Sequence, residues 1–269
     1  LPSLPNAVDA TVCRSCGYDL AYDALYRAHL GAWRCPSCGN ARPRLDVVGR
    51  DIVLDGVDAL RLAVAISPIG EASRRLDLAI AVPGLYNAYN AVAAVAAASA
   101  CGVADEVVAG ALGRFRSAFG RIERVSYKDR VLVLALVKNP VGFNETLRML
   151  TAATDGLTVP TLIAINDLFA DGRDVSWLWD VDFELLADGD APLFTAGLRG
   201  ADMANRLKYA GVALERIRPL PIDLAAALDG FVEALPAGQT GYLLPTYTAM
   251  LELRRILAAR GAVESFWRQ

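Results

Sequence analysis

The first 123 residues combine a cysteine-containing segment with three strand-like runs and two helical patterns. The strand-like runs lie at 51–54, 60–64 and 76–80. Helical patterns run from 85 to about 100 and from 105 to 112. The first helical pattern is rich in alanine and shorter than the roughly 20 apolar residues that span a bilayer. It therefore predicts a buried helix, and we expect no transmembrane segment.

From residue 124 onward, strand patterns alternate with helical ones. The strand-like runs lie at 131–137, 161–165, 193–195, 215–220 and 241–244. The helical patterns lie at about 144–151, 177–186, 201–210, 224–235 and 248–260. Such alternation with short loops indicates a mostly parallel sheet that helices cover on both faces. The pattern predicts an α/β fold with a boundary near residues 123–127, and thus domains at 1–123 and 124–269.

Composition and charge narrow the class of protein. The 269 residues are 54% hydrophobic and 21% charged, which excludes an intrinsically disordered chain. The formal net charge is −3, which argues against a general nucleic-acid or membrane-surface binder. No secretory leader pattern opens the sequence. Because the first residue is Leu1 rather than Met, we expect the sequence to begin part-way through a longer protein.

Two scarcities limit the chemistry. His29 is the single histidine of the sequence, and it lies between two pairs of cysteines. A Ser-His-Asp or Cys-His hydrolase within this chain would have to use that histidine as its base. We therefore expect the chain to lack a nucleophile–base pair of its own.

The two cysteine pairs form a motif of their own. Each is a CxxC followed by glycine: Cys13 and Cys16, then Cys35 and Cys38. Four thiolates complete a tetrahedral shell, so we predict a structural zinc ribbon at about 11–44. The alternatives are disulfides, which an expected cytosolic location disfavours, and a redox CxxC, which the duplication disfavours. We interpret Cys101 as a small buried side chain.

Polar residues follow three of the later strand-like runs, where ligands bind in parallel sheets. These segments are 138–144, 166–177 and 195–199. The second reads NDLFADGRDVSW and holds three carboxylates in one loop. Its alternative interpretation is ordinary loop polarity, with Asp174 or Ser176 capping the next helix. Its spacing does not fit the calcium loop of an EF-hand.

Two further motifs resemble the Mur ligase family. Residues 84–90, GLYNAYN, are similar to the start of a helix in the family's central domain, and residues 119–123, FGRIE, to the segment leading into its C-terminal domain. With the four-cysteine insert, the KNPVG loop at 138–142 and the GRDVSW motif, the resemblance narrows to the MurT branch and covers essentially the whole chain. It implies the remainder of a central domain with a zinc-ribbon insert, followed by a Rossmann-like C-terminal domain.

The resemblance also implies an activity. MurT-type synthetase subunits use ATP and Mg²⁺ to activate the α-carboxyl of D-glutamate in lipid II, and ammonia from a GatD-type glutaminase subunit then gives D-isoglutamine. Such a heterodimer would be cytoplasmic and bacterial, and lipid II would bring it to the inner face of the membrane.

The resemblance assigns roles to individual residues. Asn90, with Asn87 close by, would contact the adenine, and Arg121 the nucleotide. Lys138, with its neighbour Asn139, would lie near the active site. Asp174 would complete a Cys-His-Asp triad whose other members belong to the glutaminase.

Two departures from the family pattern stand out. The sequence contains no Gly-x-x-x-x-Gly-Lys-Ser/Thr phosphate loop, so we expect no ATP hydrolysis by this chain alone. Ala135 stands where many Mur ligases have an aspartate that contacts the ribose. A non-catalytic zinc-ribbon scaffold that binds a partner, and an amino-acid-adding Mur ligase, remain the alternative functions.

Overall fold

The computed structural model describes residues 11–27, 30–55, 59–70, 72–115, 121–151 and 157–263. It divides into two compact units. The first falls within Leu1–Val48 and Ser67–Ser73, and the second within Gly49–Ile66 and Arg74–Gln269. The domain boundary predicted between residues 123 and 124 lies inside the second unit and stays a prediction.

The first unit contains an antiparallel hairpin between the two cysteine pairs. Strand β1 is Ala21–Arg27 and strand β2 is Leu30–Arg34. Isolated bridges extend this ribbon on both sides, from Val12 to Asp19 and from Arg34 to Ala41. The hairpin thus joins the two cysteine turns that the sequence analysis identified.

In the described part of the second unit, the strands predicted before residue 123 form a three-stranded sheet in the order β3-β4-β5. Strand β3 is Val47–Asp55, β4 is Ala59–Ile66 and β5 is Arg74–Ile80. Apolar residues on alternate positions of β5 are buried, as expected for a sheet with one covered face.

Two helices follow this sheet. Helix α1, Leu85–Ala100, contacts β4, and α2, Asp105–Arg114, contacts β5. The buried face of α1 carries Ala88, Ala91 and Val95, whose small side chains allow a close approach to the sheet. The prediction of two helices here is confirmed.

A larger mixed sheet follows, and six of its strands lie among the described residues, in the order β10-β9-β8-β11-β7-β6. These strands are β6 Arg121–Tyr127, β7 Arg130–Ala135, β8 Thr161–Ala164, β9 Leu193–Ala196, β10 Ile217–Pro219 and β11 Thr240–Pro245. The four associated helices are α3 Pro140–Thr151, α4 Gly200–Tyr209, α5 Leu224–Ala234 and α6 Tyr247–Ala259. Only the β6–β7 pair is antiparallel among the pairings described. The mostly parallel α/β sheet is therefore confirmed.

Alternate residues of the central strands enter two separate cores. Leu162 and Ala164 of β8 pack with residues of α5 and α6, whereas Ile163 packs with residues of α3 and α4. All four residues of β8 are buried. A strand buried on both faces is a continuous apolar run, which is why this segment shows no alternation in the sequence.

One predicted helix is wrong. The segment 177–186 forms two short 3₁₀ helices, Ser176–Asp180 and Phe183–Leu186, rather than one α-helix. In an α-helix the Leu178 carbonyl would accept from the Asp182 N–H. Here that carbonyl accepts from Arg206 Nε at 3.1 Å, and the Asp182 N–H donates to Asn144 Oδ1 at 2.7 Å. Tertiary hydrogen bonds thus replace the helical one.

We predict that Phe231→Ala lowers the free energy of unfolding by about 3–5 kcal/mol, because it removes a fully buried aromatic side chain. Phe231 lies in α5, and its ring is edge-on to Phe194 with centroids 5.2 Å apart. Urea unfolding followed by circular dichroism measures the change. Leu214→Ala is the control, since Leu214 is 64% exposed. Its effect should stay within about 0.5 kcal/mol. Equal effects of the two variants would contradict this description of the core.

Candidate functional site

The four cysteines predicted to bind zinc converge in the first unit. Their sulfur atoms all lie within 4.8 Å of one another. Cys13 Sγ is 3.6 Å from Cys38 Sγ, and Cys16 Sγ is 3.5 Å from Cys35 Sγ. Tetrahedral zinc with Zn–S bonds of about 2.3 Å places sulfurs about 3.8 Å apart. All four cysteines are free rather than paired in disulfides. The donor set therefore fits one tetrahedral metal ion.

Two matching turns bring these sulfurs together. The Gly17 N–H donates to the Cys13 carbonyl at 2.8 Å, and the Gly39 N–H donates to the Cys35 carbonyl at 3.1 Å. Both glycines have a positive φ, 74° and 75°, which other residues adopt only with strain. The glycine after each CxxC is thus required by the turn itself.

Backbone amides also favour the thiolate forms that zinc binds. The Ser15 N–H, 3.4 Å from Cys13 Sγ, lowers the pKa of Cys13 to about 6. The backbone N–H of Cys38 lowers the pKa of Cys35. The Asn40 amide acts to lower the pKa of Cys38, but hydrogen bonds with Cys16 and Cys35 raise it to about 12. The thiols of Cys13 and Cys35 are thus more easily deprotonated than an ordinary cysteine, because their pKa values are lowered.

We predict about one zinc ion per chain, measured by elemental analysis of the purified protein. Cys13→Ser should lower the zinc content strongly, because it removes one of four thiolates. Cys101→Ser should leave the zinc content unchanged, since Cys101 lies at the end of α1, outside the cluster. Cys101 is exposed, so the interpretation of it as a buried side chain is wrong. A protein with intact cysteines and no zinc would refute the prediction. His29 lies outside the described residues.

In the second unit, the carboxyl ends of parallel strands bring the predicted polar segments to one edge of the sheet. Asn166, directly after β8, connects three of these ends. Its backbone N–H donates to Thr246 Oγ1 after β11 at 2.9 Å. Its side-chain oxygen accepts from the Leu198 N–H after β9 at 3.1 Å, and its Nδ2 donates to Thr248 Oγ1 at 3.2 Å. Segments 166–177 and 195–199, which the sequence analysis singled out separately, therefore meet at this edge of the sheet.

Asp167, the residue after Asn166, forms an ion pair with a nearby arginine. Asp167 is 14% exposed, and its Oδ2 lies 2.8 Å from Arg199 Nη2. Arg199 comes from the loop after β9, and hydrogen bonding to Asp167 raises its pKa. This ion pair therefore fixes the start of the acidic loop against its neighbour.

The next carboxylate, Asp171, binds the start of α6. Asp171 Oδ1 accepts from the Thr248 N–H at 2.8 Å, and Oδ2 accepts from Thr248 Oγ1. Thr246, the residue at the N-cap position, makes no side-chain capping bond. A carboxylate from another loop thus serves the helix terminus, where a negative charge is favourable. Sequence reasoning missed this contact, although a threonine pair at the start of a helix was a usable signal.

Asp174 lies three residues further along and is exposed. Its Oδ1 accepts from the Ser176 N–H at 2.8 Å. This backbone bond, together with a bond from the Ser176 side chain, lowers the pKa of Asp174. The carboxyl group therefore stays ionised at neutral pH. This bond is a turn within the loop and not the predicted helix cap, because Val175 holds the N-cap position of the 3₁₀ helix and makes no side-chain capping bond. It occurs on a side chain that solvent reaches.

The remaining predicted site residues lie in two places. Asn87 and Asn90 occupy the first turns of α1, where Asn87 Nδ2 donates to the Pro83 carbonyl at 2.7 Å and Asn90 Nδ2 donates to Asn87 Oδ1 at 3.3 Å. Lys138 lies three residues after β7 and is exposed. Asn139 beside it caps α3, because its Oδ1 accepts from the Gly142 N–H at 2.8 Å.

Arg121 is described only through its backbone. It begins β6 and pairs with Ala135 near the carboxyl end of β7. The register therefore places Arg121 and Lys138 close to the same end of the β6–β7 hairpin. Phe119 and Gly120 of the FGRIE motif lie outside the described residues.

The chain resembles known proteins over most of its length. Residues 136–250 match the family described as MurT ligase C-terminal. A MurT subunit of lipid II isoglutaminyl synthase from Streptococcus pneumoniae is 34% identical over 262 residues, 95% of this chain and 54% of that protein. This chain is therefore similar to MurT subunits over nearly all of its length. The MurT subunit of Staphylococcus aureus is 29% identical over 85% of the chain and 50% of its own length. The chain thus spans about half the length of these MurT relatives.

Solved structures show the same fold at low identity. A pseudomurein peptide ligase type C from Methanothermus fervidus has a TM-score of 0.61 at 20% identity, covering 93% of this chain and 49% of its own. MurF from Acinetobacter baumannii has a TM-score of 0.54 at 20% identity, and the match covers 78% of this chain and 45% of MurF. The chain therefore has a Mur ligase-like α/β fold. None of the helices in the described ranges is long and apolar enough to cross a membrane.

Proposed function

We propose that this chain contributes to the synthetase subunit of a glutamine-dependent amidotransferase. The reaction would convert the D-glutamate α-carboxyl of lipid II to the amide of D-isoglutamine. Ammonia would come from a separate GatD-type glutaminase. The names of the MurT relatives support this assignment, and the whole protein's activity stays a proposal because the chain spans half their length.

The observation that carries the proposal is the exposed, ionised carboxylate of Asp174. A triad aspartate must hold a histidine in one orientation and stabilise its imidazolium. The loop also exposes apolar side chains: Leu168 is 45% exposed and Phe169 is 94% exposed. Exposed apolar residues beside a charged group are typical of a surface that a partner protein covers. The same loop would therefore bind the glutaminase and complete its triad.

The nucleotide would bind to residues of two regions. Asn87 and Asn90 at the start of α1 would contact the adenine, and Arg121 and Lys138 would contact the nucleotide from the β6–β7 hairpin. ATP and its Mg²⁺ supply the phosphoryl group that makes the substrate carboxylate an electrophile. The side chain of Lys138 is exposed, so its positive charge is accessible to a phosphate group.

We further propose that the boundary between the two Mur ligase-like domains falls between residues 123 and 124. The buried residues of the two hydrophobic cores that cover the larger sheet begin at Val125, just after this boundary, while Ile122 at the start of β6 is a partly buried residue packed against one core. The three-stranded sheet packs against α1 and α2 instead. This division would separate the adenine-contacting asparagines from the acidic loop.

Asp174→Asn should lower the kcat of glutamine hydrolysis by the complex with a GatD-type glutaminase. In a serine protease the equivalent change costs up to about 10⁴-fold, and we expect a loss of at least about 100-fold. Subunit association, measured by titration calorimetry, should change little. Asp188→Asn is the matched control, because Asp188 is exposed before β9 at the opposite edge of the sheet. Hydrolysis at the wild-type rate in Asp174→Asn would overturn the proposal and leave Asp174 with its bond to the Ser176 N–H alone.

We also predict that the 269-residue chain alone does not hydrolyse ATP, because it contains no phosphate loop to hold the β- and γ-phosphates. Phosphate release is the measurement. Appreciable turnover by the isolated chain would contradict this prediction. The missing motif also favours the alternative of a non-catalytic scaffold that binds a partner. Glutamine- and ATP-dependent amidation of lipid II, measured with a longer version of the chain that includes a phosphate loop, would exclude the hypothesis of a non-catalytic scaffold.

A further inference from the structure

Asp171 lies in the same loop as Asp174, three residues before it, yet it has a different environment. Both of its carboxylate oxygens are engaged by Thr248 at the start of α6, one by the backbone N–H and one by the hydroxyl. Its Oδ2 also accepts from the Leu168 N–H at 3.3 Å. The side chain is thus held within the protein, whereas Asp174 is exposed.

We propose that Asp171 is a positioning residue that holds the loop so that Asp174 points at the glutaminase active site. This inference rests on the proposed function of Asp174. Asp171 would not touch the substrate or the partner's reacting groups. It would act by binding the loop to the terminus of a helix that the core fixes in place, since Met250 and Leu253 of α6 are buried.

The stretch of loop between Asp171 and Asp174 is short. Asp171 is fixed to α6, and only Gly172 and Arg173 separate it from Asp174. Three residues of chain span at most about 10 Å, so fixing Asp171 restricts where Asp174 can lie. Gly172 has a φ of 92°, a conformation that ordinary side chains rarely adopt. The turn after Asp171 therefore requires a glycine at position 172.

A second anchor lies on the other side of Asp174. Ser176 begins the first 3₁₀ helix, and its N–H donates a hydrogen bond to Asp174 Oδ1. Arg206 of α4 holds that helix, because Nε donates to the Leu178 carbonyl at 3.1 Å and Nη2 donates to the Val181 carbonyl at 2.8 Å. The Arg206 side chain is 5% exposed. Since this anchor is independent of Asp171, losing Asp171 should displace Asp174 without unfolding the segment after it.

The test uses the complex of the chain with a GatD-type glutaminase and measures glutamine hydrolysis. Asp171→Ala and Thr248→Val should each lower kcat by about 10- to 100-fold, because displacement of a catalytic group by about 1 Å can cost this much. The KM for glutamine should stay unchanged, since the glutamine site belongs to the partner. Thr248→Ser keeps the hydroxyl and should restore most of kcat. Asp188→Ala is the control carboxylate at the opposite edge of the sheet.

A double-mutant cycle separates positioning from a structural role. If Asp171 acts through Asp174, Asp171→Ala should cause no further loss of kcat in an Asp174→Asn background. Additive losses would overturn the inference, as would wild-type kcat in both Asp171→Ala and Thr248→Val. If circular dichroism shows that Asp171→Ala does not fold, Thr248→Val and Thr248→Ser carry the test. Wild-type hydrolysis in Asp174→Asn alone would instead overturn the proposed function and this inference with it.

Discussion

The parallel pairing of β7, β11, β8 and β9 is the constraint on which the acidic site depends. Parallel strands end at the same edge of a sheet, so the loops that follow them must meet there. Asn166 then joins the loops after β8, β9 and β11 through its backbone and its amide group. This pairing is what brings residues 77 to 82 positions apart in the sequence within hydrogen-bonding distance.

The carboxylates of the acidic loop have separate tasks because they have separate neighbours. Asp167 pairs with Arg199, which is already held beside it after β9. Asp171 serves the amino end of α6, where the aligned peptide dipoles favour a negative charge. Asp174 bonds only to the adjacent turn in the contacts described for it, and its side chain is exposed. Two carboxylates thus stabilise the loop, and the third is available at its surface.

The cysteine cluster follows a different principle. Each CxxC-Gly turn forms through hydrogen bonds within five residues, and the hairpin of β1 and β2 brings the two turns together. Among the described residues of this unit, the buried hydrophobic side chains are those of Cys13 and Cys35, so they give it little hydrophobic stabilisation. Binding of a metal to four thiolates would therefore contribute directly to its folding.

Local features of the site were predictable because their causes are local. The glycine after each CxxC, the asparagines at the start of α1 and the cap at Asn139 all depend on neighbouring residues. The parallel sheet was predictable too, because buried strands and amphipathic helices leave different periods of apolar residues. The nucleotide role of Arg121 and the triad role of Asp174 came from family resemblance and stay predictions.

The sequence by itself determined which four cysteines could bind a metal, the alternation of strands and helices, and the loop that carries the carboxylates. Only the tertiary structure decided which carboxylate is exposed and that segment 177–186 is not one helix. Both outcomes depend on distant partners, Thr248 for Asp171 and Arg206 for the carbonyls of Leu178 and Val181. Such hydrogen bonds leave no periodic trace in the sequence, because they form only after the sheet has brought the helices and loops together.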